Sequence, residues 1–161
     1  MLSHSKGRVL KGMLKPQVKK FVRDAFLVAC GVVLCAFILI RVLSSLLMDV
    51  VFEAPLSSLG GRAYLLGSAV LMATAYSISG FLTGLFIAYF SKNKEVKLAL
   101  FAAVIVAVYY SFKITSLLLR VASDIPSGLL PWRFLELALE MIFLVGFAAL
   151  GAGIVRLIRR G

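Results

Sequence analysis

Four stretches of this chain are each long and apolar enough to cross a lipid bilayer, and nothing else in it constrains the fold as strongly. A spanning helix needs about 20 mainly apolar residues to cover ~30 Å of hydrocarbon. The first stretch runs from Ala25 to Met48 and is broken only by Arg41, while the second, Ala63 to Ser91, has no charge. The third, Leu98 to Leu119, holds Lys113, and the fourth, Arg133 to Val155, carries Glu136 and Glu140 near its start. Strands of a membrane barrel would alternate apolar and polar residues, and these stretches do not. The expected fold is an all-α integral membrane protein with four transmembrane helices. Bulk composition agrees: 61% of the 161 residues are apolar, against roughly 45–50% in soluble domains. That excludes a soluble enzyme, a secreted disulfide scaffold and a disordered chain.

The charges give the spans a direction. Lys6, Arg8, Lys11, Lys15, Lys19, Lys20 and Arg23 precede the first span, Lys92, Lys94 and Lys97 separate the second from the third, and Arg156, Arg159 and Arg160 follow the fourth. The opposite loops hold Arg62, Arg120 and Arg133 beside Asp49, Glu53 and Asp124. By the positive-inside rule, both termini are expected in the cytoplasm of a multi-pass protein of the cell membrane. Tyr64 and Trp132 then sit at the outer boundary, and Tyr89 and Phe90 at the inner one. With the formal charge of +11 concentrated on one face, anionic lipid is the expected partner and nucleic acid is not.

The chain divides into an arm (1–23), a first transmembrane hairpin (24–91), a cytoplasmic loop (92–97) and a second hairpin with a short basic tail (98–161). In the arm, Val9, Leu10, Met13, Leu14, Val18, Phe21 and Val22 recur at helical spacing with lysines on the other face, and Pro16 is expected to bend or break the helix. Such a segment lies flat on anionic headgroups, gaining about 1 kcal/mol per basic residue near the surface. Lys11, Lys15, Lys19, Lys20 and Arg23 are the expected contacts. Leu27-Val28-Ala29-Cys30 has the form of a lipidation cleavage site. The apolar run before it is too short for a signal core of about 7–15 residues, so cleavage is not expected.

A shift of 71 residues brings out an internal repeat. Ser44-Ser45-Leu46-Leu47 falls on Thr115-Ser116-Leu117-Leu118, Glu53-Ala54-Pro55 on Asp124-Ile125-Pro126, and Arg62 on Arg133. Asp24 falls on Glu95 and Gly80 on Gly151. The leucines mean little, but the coincident acids, prolines and arginines argue for two helical hairpins forming a parallel repeat about an axis along the membrane normal.

Charges inside a span are costly and by default mark function. At 1.5 Å per residue, Lys113 lies ~10 Å below the outer boundary, Arg41 and Glu140 ~12 Å, and Glu136 ~6 Å. Tyr109, Tyr110, Lys113 and Ser116 form a polar strip on the third span, and Ser68, Met72 and Tyr76 share a face that leads to Gly80 on the second. One reading gathers Arg41, Lys113 and Glu140 into an outward-facing polar cavity. The other lets Arg41 and Lys113 snorkel to the interface, pairs Glu136 with Arg133, and leaves Glu140 as a structural ion-pair partner.

Two small-residue faces should bring helices close together: Gly80 with Gly84, and Gly146 with Ala149 and Gly153. Catalytic material is sparse. His4 is the single histidine, Cys30 and Cys35 lie five apart and cannot readily bridge, and no metal-binding, nucleophile-elbow or phosphate-loop motif occurs. No enzyme activity, cofactor or metal is expected. The expected role is that of a non-enzymatic accessory or scaffold subunit, which acts through helix packing and lipid contact and engages another membrane protein or itself as a homo-oligomer. The alternative is a small transporter or ligand-binding protein using Arg41, Lys113 and Glu140, with Glu136, Tyr109 and Tyr110 nearby.

Overall fold

The computed structural model describes residues 16–53, 61–91, 95–120 and 130–161. Lys11, Lys15, Lys92, Lys94 and the Asp124–Pro126 motif lie outside the described residues, as do the side chains of Arg62, Tyr64 and Ser68. Helix α1 (Pro16–Val33) continues through a π-helical segment (Leu34–Leu39) into α2 (Ile40–Glu53). Then follow α3 (Gly61–Phe90), α4 (Glu95–Arg120) and α5 (Leu130–Ile158), with no strand among the described residues. Four of the resulting helical stretches are long and apolar enough to cross a membrane, α1 and α2 counting as one.

The helix ends have local causes. Pro131 sits in the first turn of α5, where a missing N–H leaves no hydrogen bond unmade. Glu95 opens α4 and Arg120 closes it, each with the sign that favours the helix dipole. In the π segment the hydrogen-bond ladder slips by one residue, and Ile40 N–H donates to Cys35 O.

The chain runs up and down, so α3 and α5 point the same way, as do α1 and α4. The most intimate packing joins α3 to α5, because glycine lets their backbones touch. A Cβ on Gly80 would strike Leu144 O, one on Gly84 would strike Ala148 O, and one on Gly151 would strike Phe81 O. On the other side of the bundle, Gly31 makes room for Ile87 and lies close to Ala102. That contact joins residues 71 apart, the spacing at which the sequence matches itself, whereas Gly80 with Leu144 and Gly84 with Ala148 fall about two helical turns short of it.

Two apolar clusters fill the interior. One contains Cys35, Ala36, Ile40, Tyr76, Val106 and Leu144, and the other Val28, Ile87, Ala88, Ala99 and Ala152. Among the described residues α5 packs on α3 and α4 but not on α1 or α2. One whole side of α5 is therefore open.

Candidate functional site

The charged layer does not close on itself. Arg41 and Lys113 are both exposed. Lys113 holds its Nζ 6.0 Å from the centre of the Tyr110 ring, within the reach of a cation–π contact. Arg133 Nη1 donates to Glu136 Oε2 at 2.7 Å within one turn of α5. Glu140 is only 7% exposed, and among the described residues no cation lies within ion-pair distance of it. Nothing described here joins Glu140 to Arg41 or Lys113.

Aromatic and hydroxyl groups occupy the interior beside Glu140. Tyr76 is buried on α3 in one cluster with Leu137, Met141 and Leu144, the inward residues around Glu140, and its ring meets that of Tyr110 edge to face at 6.0 Å. The Tyr110 hydroxyl donates to Ala36 O at 2.7 Å, so α4 is tied to a carbonyl of the π segment. Tyr109 stays half out of the bundle and stacks edge-on against Tyr110 at 5.4 Å. Ser116 donates back to Lys113 O, which leaves the α4 strip with little polar capacity directed inward. Further along α3, Ser79 and Thr83 are fully buried, Thr83 beside Cys35. Thr83 donates to Ser79 O, but Ser79 Oγ finds no partner among the described residues.

Tyr110→Phe isolates one of these ties. The substitution should lower stability by about 0.5–1.5 kcal/mol, the net value of an ordinary hydrogen bond, with helix content unchanged by circular dichroism. A neutral result would mean that the π segment holds its shape without α4.

The two small-residue faces part company. Gly80 and Gly84 lie in the α3–α5 contact, but Gly146 and Gly153 have no atom within 4 Å of an added Cβ. On α5 the packed row is Leu144, Ala148, Gly151 and Ala152, while Gly146 is exposed and Ala149 and Gly153 are half-buried.

A second cluster lies at the opposite end of the bundle. Arg159 donates to Ser91 O at 2.6 Å and to Tyr89 O at 2.5 Å, and stands 3.5 Å from the carboxylate of buried Glu95. One guanidinium thus caps the end of α3 and holds the start of α4. Sequence reasoning placed Arg159 among the topology-setting charges and missed this, because the contact needs α3 and α5 to run in parallel. Lys19, Lys20, Arg23, Lys97, Arg156 and Arg160 are exposed at the same end, with Arg23 3.4 Å from Asp24.

Cys30 and Cys35 are free thiols, the second buried. Among the described residues no three His, Cys, Asp or Glu side chains come together as a metal site would require. In comparisons with known proteins, the chain matches no family model, no curated protein and no solved structure, so its function has to be read from its own geometry.

Proposed function

We propose that the chain is a multi-pass membrane protein with both termini in the cytoplasm, acting as a non-enzymatic accessory or scaffold subunit. Large apolar side chains point outward along its length, Phe37, Val70, Phe101, Phe112, Ile142 and Leu150 among them, an exterior that only lipid or another protein can cover. The basic end, with Lys19, Lys20 and Arg23 on α1, is the cytoplasmic face in this reading and rests on anionic headgroups. The two hairpins are a parallel repeat, α1 beside α4 at the repeat spacing.

The open side of α5 carries the accessory role. Gly146 and Gly153 leave its backbone bare, a surface on which a partner helix can pack closely. The partner is another membrane protein or a second copy. Crosslinking in native membranes from a reactive group placed at Leu150 should capture one defined species. Gly146→Leu with Gly153→Leu should reduce that product about tenfold, the loss expected for roughly 1.4 kcal/mol of helix–helix packing. A strictly monomeric protein, or capture indifferent to the two leucines, would overturn the reading.

A second reading, favoured by the burial of Glu140 beside Tyr76, is a small transporter or ligand-binding protein. In that reading Arg41 and Lys113 supply positive charge to an outward-facing cavity with Glu140 as counter-ion.

A further inference from the structure

Two carboxyls on one face of α5, a single turn apart, have opposite fates. Glu136 is neutralised by Arg133 at 2.7 Å. Glu140 is turned into the bundle, and among the described residues no cation pairs with it. A carboxylate in an apolar interior stays charged only while water or a counter-ion reaches it. The groups facing Glu140 can be named element by element. From α3 comes the buried side chain of Tyr76. On α4, Tyr110 has committed its hydroxyl to Ala36 O, and Lys113 is exposed beside its ring. On its own helix there are only Glu136 and Arg133, already bonded to each other.

Among the described residues, one side of Glu140 is closed. Beyond Glu140 toward the basic end, the interior is closed by Leu144, Val106 and Ala148, none with any exposed surface. Toward the other end lie the Arg133–Glu136 pair and exposed Trp132. A single buried carboxyl with a hydroxyl neighbour suits a proton; it offers nothing to hold an anion. When Glu140 accepts a proton from water it becomes a neutral acid able to donate to an oxygen. When it returns the proton, the charge must draw in water along the α3–α5 seam.

We propose that Glu140 is a proton-binding site, loaded and unloaded from the Arg133 end, whose charge state sets how closely the first half of α5 lies against α3. This rests on the ligand-binding reading for Glu140 alone; it names a proton as the ligand and leaves Arg41 and Lys113 out of the site.

Trp132 is the chain's only tryptophan and begins the half of α5 that should move. In the full chain reconstituted into phosphatidylcholine vesicles, its emission should pass through one reversible transition between about pH 5 and about pH 9, a window in which ordinary exposed carboxyls stay ionised. Glu140→Gln should abolish the transition, whereas Arg41→Ala with Lys113→Ala should leave it in place. Wild-type emission that is flat with pH, or a transition that survives in E140Q, would sink the proposal. A transition lost in the double alanine variant would instead restore the charged-cavity form of the reading and overturn this one.

Dicyclohexylcarbodiimide gives a check that needs no variant. The protonated carboxyl adds across the carbodiimide, its proton passing to nitrogen and its oxygen to the central carbon, and the isourea then rearranges to a stable N-acylurea with nothing lost. Mass mapping should find the adduct on Glu140 at least about tenfold faster than on Glu136, a difference equivalent to roughly 1.4 kcal/mol. Equal labelling of the two, or none on Glu140, would overturn the inference.

Discussion

Gly84→Leu should break the bundle at its tightest point. Even a single Cβ at this position would overlap the carbonyl of Ala148, and the atom it strikes belongs to backbone that cannot rotate aside. Overpacking a well-filled interior typically costs about 1–3 kcal/mol. Leucine at Gly84 forces two helices apart, so the loss should reach the top of that range or exceed it. Gly84→Ala should show a smaller loss in the same direction. The measurement is a titration of unfolding in mixed micelles, or the temperature at which the purified protein loses its tertiary signal. Gly153→Leu, on the same pair of helices but facing away from α3, should stay within about 0.5 kcal/mol of the parent, as surface substitutions do. Equal losses at the two positions would mean that close backbone approach is not what joins α3 to α5.

That contrast shows where sequence periodicity stopped being informative. The four spans were legible because length and apolar content alone define them. The Arg133–Glu136 bridge followed from their i, i+3 spacing. Gly80 and Gly84 were legible as a close-packing face. The face that α5 presents to them was not, because beyond Glu140 the helix is apolar all round up to Arg156 and two rows of small residues run along it. A helix with no polar side carries no moment to choose between them. The chosen row is the one whose Ala148 and Gly151 meet the α3 backbone.

The charges within the long apolar helices illustrate a second limit. Depth follows from counting residues, so the sequence could place Arg41, Lys113 and Glu140 in one layer. Whether they converge depends on how each helix is rotated about its axis, which the surrounding packing decides. Tyr110 reaching Ala36 O and Tyr76 turning inward fix those rotations; Lys113 is left at the surface and Glu140 in the interior. The π segment, which sets the position of Ala36 O, has no sequence signal in Leu34–Leu39.

Arg159→Met is the second substitution with a large expected effect, and it acts at the other end of the molecule. Methionine keeps the length and apolar stem of the side chain but removes all three of its attachments, to Tyr89 O, Ser91 O and Glu95. Hydrogen bonds from a charged donor are worth about 1.5–3 kcal/mol each in protected sites. Arg159 keeps more than a third of its side-chain surface in solvent, so the three together should be discounted to about 1–3 kcal/mol. The loss should be local. Amide exchange should quicken at Tyr89–Ser91 and Val96–Leu98, while the Gly80–Gly84 region keeps its protection. Arg159→Lys should rescue little, because one ammonium cannot span two carbonyls and a carboxylate with the fork of a guanidinium. Glu95→Gln then separates the contributions. If it reproduces the full Arg159→Met effect, the carboxylate is the chief attachment; if it causes only a minor loss, the arginine is acting mainly as the C-terminal cap of α3. Exchange that quickens uniformly along all four helices would show that Arg159 holds up the whole bundle rather than the corner it touches.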